Sequence, residues 1–242
     1  QHDWLGVSLQ AGLAVPYPVI TAERIMPRAS GYQVDARTPW GELSLTVPLM
    51  GHFNIMNALM TLAVMGIQGL SLADMQARIA ALNPVVGRMQ LLGELASQPC
   101  VVVDYAHTPD ALARALQAVR EHATGRVWCV FGCGGERDRG KRAMMAALAE
   151  THADEVVVTL DNPRDEPIEV IMQDIRQGFV GDAVVEKPDR KQAIAYAVQS
   201  ATIGDVVLIA GKGHESTQII AGQQLEHSDI EVSLACLRAY HS

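Results

Sequence analysis

The sequence has no run of about 18 uncharged apolar residues, the length that a membrane-spanning helix requires. We therefore expect no membrane span and no membrane partner. Basic residues are also in deficit, because 19 Lys and Arg stand against 27 Asp and Glu and give a net charge of −8. A nucleic-acid-binding protein needs a basic surface, so we expect no nucleic-acid partner. Local Arg, Lys and helix N-termini can still bind anionic small molecules.

Cysteine is scarce, with four residues at Cys100, Cys129, Cys133 and Cys236. Only Cys129 and Cys133 are closely spaced, and a zinc site would need a second such pair. We interpret all four as reduced residues of a cytoplasmic protein. The chain begins with Gln rather than Met and shows no signal-like segment at its start, so we expect a piece of a longer protein.

Several catalytic motifs are missing. Position 218 is Gln, so His214-Glu215 does not begin the H-E-x-x-H helix of zinc proteases. No G-x-S-x-G stretch occurs, which excludes the nucleophile elbow of serine hydrolases. We therefore predict no metal ligands and no catalytic nucleophile within this chain.

A glycine-rich stretch over 135–142, "GERDRGKR", nearly matches the phosphate-binding pattern G-x-x-x-x-G-K-[ST]. Arg142 stands where the Mg²⁺-binding hydroxyl is required, and Glu136 and Asp138 would repel phosphates. We therefore reject a nucleotide P-loop. Two interpretations remain open: the glycines let the backbone approach a ligand toward which Arg137 points, or they form a plain turn.

The residue pattern divides the chain near Asn83-Pro84 to Gly87. Residues 1–50 indicate β-structure with a hairpin at Thr38-Pro39-Trp40-Gly41. An apolar, buried helix is expected next, with Asn54 as its cap. Beyond residue 88, short apolar strands alternate with amphipathic helices, which predicts an α/β fold with a mainly parallel sheet covered by helices on both faces. We also expect one antiparallel edge strand over 218–225 and a short strand over 183–185. Three of the helices are predicted to begin at caps formed by Thr108, Asp189 and Ser228.

Polar residues follow the predicted strands at the ends where ligands bind in open parallel sheets. Asp161 and Asn162 alone favour a simple turn, but Arg164 has the planar fork that suits a carboxylate or phosphate. Arg137 offers a second positive charge, and Asp161 and Glu215 offer negative ones. Such a mixed cleft would suit a zwitterion such as an amino acid. His107 is either a general base or a turn residue.

Six motifs occur in order: "GHFNIMNAL", "GRMQ", "DYAHTPDAL", "FGCGGERDRGKR", "DNPR" and "AGKGHE". Together they resemble the C-terminal half of the Mur ligase family, specifically its members that extend UDP-MurNAc-L-Ala-D-Glu. The resemblance implies that residues 1–87 are the C-terminal part of a central ATP-binding domain. It implies that residues 88–242 are a C-terminal, Rossmann-like domain that binds the incoming amino acid.

The resemblance also implies roles for individual residues. The ATP side of the cleft would be formed by Asn57, Arg88, Asp104 and His107. The amino-acid pocket would be formed by Arg137, Asp161, Asn162, Arg164, Gly211 and Glu215. Within the family, the Arg of "DNPR" indicates meso-diaminopimelate as the added amino acid. Its distal carboxylate can pair with Arg164, and its distal ammonium can pair with Glu215.

The implied reaction uses ATP and Mg²⁺ to convert the D-Glu carboxylate of UDP-MurNAc-L-Ala-D-Glu into an acyl phosphate, which the amine of meso-diaminopimelate attacks. The family's P-loop and metal-binding residues are not in these 242 residues. We therefore expect this chain alone to be inactive, and the enzyme to be a monomer. A lysine-adding relative and a non-catalytic ligand-binding module are the alternatives.

Overall fold

The computed structural model describes residues 4–13, 15–93, 97–181 and 184–240. The chain forms two compact units, Gln1–Asn83 and Pro84–Ser242. The observed division therefore lies at the start of the boundary region expected from the sequence, just before the predicted limit at Gly87. The assignment of the first unit to an ATP-binding domain stays a prediction.

The first unit contains a four-stranded sheet and two helices. Its elements are β1 (Gly6–Ser8), β2 (Val19–Arg28), β3 (Gly31–Thr38), β4 (Gly41–Val47), α1 (His52–Ile67) and α2 (Leu72–Ala80). The strands are paired in sequence order, and only β1 and β2 run parallel. The predicted hairpin is confirmed, because Thr38 pairs with Gly41 around the turn.

The helix α1 differs from its prediction in two ways. It begins at His52 with Gly51 as the cap, so the assignment of Asn54 as cap is wrong. The Asn54 amide lies inside the first turn and donates to the carbonyl of Met50 instead. The expected complete burial is also wrong, since one apolar stripe stays exposed. Its members are Phe53, Met60, Val64 and Ile67, which are 46–70 % exposed.

The second unit is built on a six-stranded sheet that confirms the predicted fold class. Its strands are β5 (Gln90–Leu92), β6 (Cys100–Asp104), β7 (Val127–Cys133), β8 (Glu155–Leu160), β9 (Val184–Glu186) and β10 (Val206–Ala210). They are ordered β5-β6-β10-β7-β8-β9, and all run parallel except β5. Ala183, predicted as part of β9, lies outside the described residues.

The predicted antiparallel edge strand over 218–225 is wrong. That stretch forms a separate hairpin of β11 (Thr217–Ile220) and β12 (Gln223–Glu226). The antiparallel edge of the main sheet is β5, which carries Gln90 of the "GRMQ" motif. A β-bridge between Arg164 and Ile220 joins the hairpin to the loop after β8.

Helices cover both faces of the main sheet. They are α3 (Pro109–Arg120), α4 (Gly140–His152), α5 (Ile168–Arg176), α6 (Arg190–Ser200) and α7 (Asp229–Arg238). Helices α6 and α7 pack on one face, against alternate strand residues such as Val103, Val130 and Ile209. Helices α3, α4 and α5 pack against the strands from the other face. No helix among the described residues is long and apolar enough to cross a bilayer.

Local capping confirms three predicted helix starts in the second unit. Thr108, Asp189 and Ser228 each accept a hydrogen bond from the backbone N–H three residues later. These caps fix where the chain leaves β6 and β9 and enters the following helices. The parallel strands β6, β10, β7 and β8 are neighbours in that order, so the loops at their carboxyl ends lie side by side.

Candidate functional site

A cavity of about 600 Å³ opens at the carboxyl ends of these parallel strands. Loops after β6, β7, β8 and β10 supply its walls. Seven predicted site residues line it: His107, Arg137, Asp161, Asn162, Arg164, Gly211 and Glu215. Tyr105, Thr108, Gly134, Asp138 and Lys141 complete the lining. The structure therefore brings together every residue that was predicted for the amino-acid pocket.

Three predicted residues do not line this cavity. Asn57 lies in the first unit, exposed on α1, where its amide donates to Asn54. Arg88 stacks over the ring of Tyr105, with its guanidinium carbon 4.4 Å from the ring centroid. Asp104 accepts from the backbone N–H of Met89 at 2.8 Å. The last two residues therefore hold the "GRMQ" turn against the end of β6.

The environment of Asp104 raises the pKa of its carboxyl above the usual value. Burial is the largest cause, because it disfavours the charged form. The N–H of Met89 and the charge of Arg88 oppose this effect without cancelling it. Asp104 is consequently easier to protonate than an exposed aspartate.

His107 and Lys141 form one rim of the cavity. The Nδ1 atom of His107 lies 2.8 Å from the carbonyl oxygen of Tyr105, which can only accept, so Nδ1 carries a proton. In the neutral ring this leaves Nε2 unprotonated. The Lys141 ammonium, in the first turn of α4, donates to the His107 carbonyl at 3.0 Å and joins α4 to the loop after β6.

The glycine-rich loop after β7 packs directly on the "DNPR" loop after β8. The Gly135 N–H donates to the carbonyl of Asn162 at 2.8 Å. A Cβ atom on Gly135 would lie 1.9 Å from the carbonyl oxygen of Pro163, closer than any side chain allows. Neither of the two open interpretations, a plain turn or approach to a ligand, describes Gly135 fully. Its missing side chain permits close contact between the two loops.

Arg142 explains why this loop cannot be a P-loop. Its side chain is fully buried and forms ion pairs with Glu166 at 2.7 Å and Asp174 at 2.8 Å. It also donates to the carbonyl of Gly134 at 3.0 Å. Hydrogen bonding from Arg142 lowers the pKa of Glu166 from 4.5 to about 2. The Arg142 side chain therefore serves as an internal clamp between the two loops.

Arg164 faces the cavity from a constrained backbone. Its φ of 54° lies in the left-handed region, which is rare for arginine. Two backbone hydrogen bonds to the hairpin hold it there, from Arg164 N–H to Ile219 at 3.0 Å and from Ala221 N–H to Arg164 at 2.7 Å. Its Nη1 donates to the carbonyls of Gly135 at 2.8 Å and Asn162 at 3.3 Å.

These contacts orient the Arg164 guanidinium without neutralising it. Within the part of the chain that the structure describes, no carboxylate lies within ion-pair distance of Arg164. Carbonyl oxygens fix Nη1, and Nε and Nη2 have no hydrogen-bond partner among the same residues. A ligand carboxylate can therefore meet a preoriented positive charge at this wall.

Lys212 is a site residue that the sequence analysis missed. Its ammonium is fully buried beneath the cavity, 2.9 Å from Glu215 and 3.5 Å from Asp161. It also donates to the Asn162 Oδ1 at 3.1 Å. The flanking Gly211, with φ of 124°, allows the chain to turn sharply at the end of β10. The only available signal was a lysine between two glycines directly after a buried strand.

A second buried pair supports the floor of the site. Arg190 forms a bidentate ion pair with Asp229, both contacts being 2.8 Å, and donates to the carbonyl of Ala210 at 2.9 Å. Burial raises the pKa of Asp229, but attraction by Arg190 outweighs this and lowers it below its usual range. Arg190 thereby ties α6 and α7 to the end of β10.

The fold and the site together define an α/β domain with a mixed-charge cavity suited to a small zwitterion. The sequence of residues 87–213 matches the family described as Mur ligase, glutamate ligase domain. The chain belongs to the Mur ligase family.

Named relatives place the chain more closely. It is 52 % identical over 213 residues to UDP-N-acetylmuramoyl-L-alanyl-D-glutamate–2,6-diaminopimelate ligase of Coxiella burnetii, covering 88 % of this chain and 43 % of the relative. The ligase of the same name from Haemophilus influenzae is 44 % identical over 238 residues, covering 98 % and 49 %. The chain thus spans slightly less than half the length of these relatives.

A solved structure of a ligase with the same name has a similar fold. It is a UDP-N-acetylmuramoyl-L-alanyl-D-glutamate–2,6-diaminopimelate ligase that is 36 % identical in sequence, with a TM-score of 0.77. The match covers 98 % of this chain and 48 % of that one.

Proposed function

We propose that this chain is the C-terminal part of an ATP-dependent ligase that adds meso-diaminopimelate to UDP-MurNAc-L-Ala-D-Glu in peptidoglycan precursor synthesis. Residues 88–242 would bind the incoming amino acid, and residues 1–87 would belong to the central ATP-binding domain. The names of the most similar relatives support this function. We further propose that the enzyme acts in the cytoplasm as a monomer, without nucleic acid or membrane as a partner.

The observation that carries the proposal is the unneutralised Arg164 at the wall of a cavity that also contains acidic groups. Meso-diaminopimelate has two carboxylates and two ammonium groups. Its distal carboxylate would pair with the preoriented guanidinium of Arg164, and Arg137 offers a second cation. Its distal ammonium would be attracted by Asp161 and Glu215, whose two negative charges exceed the single positive charge of Lys212.

L-Lysine has the same chain with an ammonium but no distal carboxylate. In this cavity it would leave Arg164 without an anion and place a second positive charge close to it. A site built around polar partners rejects a ligand that leaves them unpaired. The geometry therefore favours diaminopimelate over lysine addition.

The reacting groups would meet at the mouth of the cavity. ATP supplies the phosphoryl group that activates the D-Glu carboxylate, and the α-amine of the amino acid then attacks the acyl phosphate and releases phosphate. The contribution of this chain is to hold the amine in place, which reduces the entropic cost of the encounter. Asn57, Arg88, Asp104 and His107 are proposed for the ATP side.

The described residues do not fit a Mg²⁺ site. No group of three or more His, Cys, Asp or Glu side chains among them is placed to hold a metal ion. We therefore propose that the rest of the protein holds Mg²⁺ together with most of the ATP.

The test uses a full-length ligase that carries this chain. Phosphate release should depend on ATP, on UDP-MurNAc-L-Ala-D-Glu and on meso-diaminopimelate, with L-lysine a much poorer substrate. Arg164→Ala should weaken the binding of diaminopimelate by the ~1.5–3 kcal/mol of a charge-assisted hydrogen bond. The binding of lysine should stay nearly unchanged. Arg114→Ala, at an exposed arginine of α3 that does not line the cavity, is the matched control.

Two outcomes would contradict the proposal. Turnover with lysine in preference to diaminopimelate would favour the lysine-adding alternative. ATP-independent binding of diaminopimelate without any turnover in the full-length protein would favour a non-catalytic ligand-binding module.

A further inference from the structure

Lys212 holds three of the cavity residues at once, although it does not line the cavity itself. Its fully buried ammonium lies 3.1 Å from Asn162 Oδ1, 2.9 Å from Glu215 Oε2 and 3.5 Å from Asp161 Oδ1. These partners come from two loops that lie about fifty residues apart in the sequence. A buried charge is retained only where its partners compensate for the lost hydration.

The Lys212 ammonium fixes the orientation of the Asn162 amide. The Asn162 Oδ1 accepts from Lys212 and from the Ile219 N–H at 2.9 Å. Because both neighbours are donors, the amide oxygen must face them. The Nδ2 group is then directed toward the Glu215 carboxylate, which it reaches at 3.2 Å. If the amide were rotated, its NH₂ group would face the Lys212 ammonium and the Ile219 N–H, which are also donors. Only one orientation of the Asn162 amide is therefore stable.

Lys212 also sets the net charge of the part of the cavity formed by Asp161 and Glu215. Asp161 and Glu215 carry two negative charges, and the ammonium reduces them to a net charge of one. A single net negative charge matches one ammonium of a ligand whose distal carboxylate is bound elsewhere. If a substitution removed the Lys212 charge, the two carboxylates would favour a ligand with an excess of positive charge, such as lysine.

We propose that Lys212 is a positioning and specificity-determining residue of the amino-acid site, acting through Asp161, Asn162 and Glu215. This rests on the proposed function, because it concerns recognition of meso-diaminopimelate. Lys212 reaches the ligand only through its three partners. Its loss should therefore change ligand choice, whereas a merely structural lysine would lower activity with every ligand alike.

The experiment compares Lys212→Met with wild type in the full-length ligase. The variant keeps a side chain of similar length and removes the charge. Lys191→Met, at an exposed lysine of α6 that does not line this cavity, is the control. Phosphate release is measured against meso-diaminopimelate, L-lysine and ATP in separate titrations.

For Lys212→Met we expect KM for diaminopimelate to rise about 10- to 100-fold, the range of a lost charge-assisted interaction. KM for ATP should stay unchanged. The ratio of kcat/KM for diaminopimelate to that for lysine should fall at least about tenfold. An equal loss for both amino acids, or behaviour identical to the Lys191→Met control, would overturn the assignment.

A second comparison decides the matter if Lys212→Met does not fold. The second comparison uses Glu215→Gln and the double variant Lys212→Met/Glu215→Gln. The double variant loses one positive and one negative charge together, so the net charge of Asp161, Lys212 and Glu215 stays at minus one and no Glu215 carboxylate is left without its cation. In this background Lys212→Met should still raise KM for diaminopimelate at least about fivefold, since Asp161 and Asn162 lose their anchor. No change would refute the positioning role.

The two levels of the proposal fail differently. If the wild-type ligase releases no phosphate with diaminopimelate, the proposed function is overturned, and the role of Lys212 with it. The role of Lys212 alone is overturned if the wild-type ligase uses diaminopimelate but Lys212→Met leaves the discrimination against lysine unchanged. It is likewise overturned if Lys212→Met leaves KM for diaminopimelate unchanged in the Glu215→Gln background.

Discussion

Replacing Glu166 by Gln perturbs the clamp that joins the glycine-rich loop to the "DNPR" loop. Glu166 binds the buried guanidinium of Arg142 through both carboxylate oxygens, each at 2.7 Å, and accepts from the Glu136 N–H at 2.8 Å. Glutamine keeps the size and part of the hydrogen bonding but removes the charge. Asp174 is then the remaining anionic partner of Arg142.

The size of the effect follows from the pKa of Glu166, which falls from 4.5 to about 2 in the folded protein. That difference of about 2.5 corresponds to about 3 kcal/mol, at 1.36 kcal/mol for each pH unit. The Glu166 side chain keeps 14 % exposure at the surface, and solvent screening reduces the figure. We expect Glu166→Gln to lower the free energy of unfolding by about 1–2 kcal/mol at pH 7.

The sign of the pH dependence is fixed by the direction of the shift. Because the pKa is lower in the folded state, the charge of Glu166 stabilises the protein fully above its unfolded value of 4.5. This contribution is lost as the pH falls toward about 2. The stability of the wild type should therefore approach that of the variant across this acid window.

Urea unfolding at a series of pH values from neutral to acid, followed by circular dichroism, measures this convergence. Glu169→Gln is the matched control, because Glu169 is exposed on α5 and forms no such clamp. The reasoning is refuted if the wild type and Glu166→Gln differ by a constant amount at all pH values. It is equally refuted if Glu169→Gln shows the same pH-dependent loss.

Three further changes test other contacts. Gly135→Ala should force the loop away from the Pro163 carbonyl and cost about 1–3 kcal/mol, seen as a Tm lowered by several degrees in calorimetry. Arg190→Met should leave the buried Asp229 carboxylate without its cation and cost about 3–5 kcal/mol in urea unfolding, and a loss below 1 kcal/mol would contradict this. The Ser71 hydroxyl caps α2 by accepting from the Asp74 N–H. Ser71→Ala should remove this cap and destabilise the first unit by about 1 kcal/mol, measurable as a lower urea midpoint, whereas Ser71→Asp should not.

Features that depend on neighbours in the sequence were predicted well. Thr108 with Pro109, Asp189 with Gln192, and Ser228 each mark a helix start through contacts within three residues. Alternation of strand and helix similarly predicted the parallel sheet, because both periodicities are local. The carboxyl-end rule then placed the loops of the cavity side by side without any coordinates.

Features that depend on distant partners were not predicted. Strand β5 was not predicted, and the stretch over 218–225 forms the hairpin of β11 and β12 instead of the predicted edge strand. Both differences arise because edge pairing depends on which strands meet in space. Lys212 and Arg190 were missed as buried charges for the same reason. Most of their partners lie far away in the sequence, as in the hydrogen bond from Lys212 to Asn162, which are 50 residues apart. A lone basic residue in the sequence normally indicates a solvated surface.

The polar run over 161–166 after β8 combines two kinds of side chain that the sequence cannot separate. Asp161 and Arg164 face the cavity, where their charges remain available to a ligand. Glu166 turns inward to Arg142 and holds the loop in place. The ion pair between Glu166 and Arg142 holds the loop, and the neighbouring Arg164 is thereby kept in a fixed position without an anionic partner of its own among the described residues. Side chains that are preoriented in this way lose less entropy when a ligand binds, so we expect the clamp to support the selectivity proposed for Arg164.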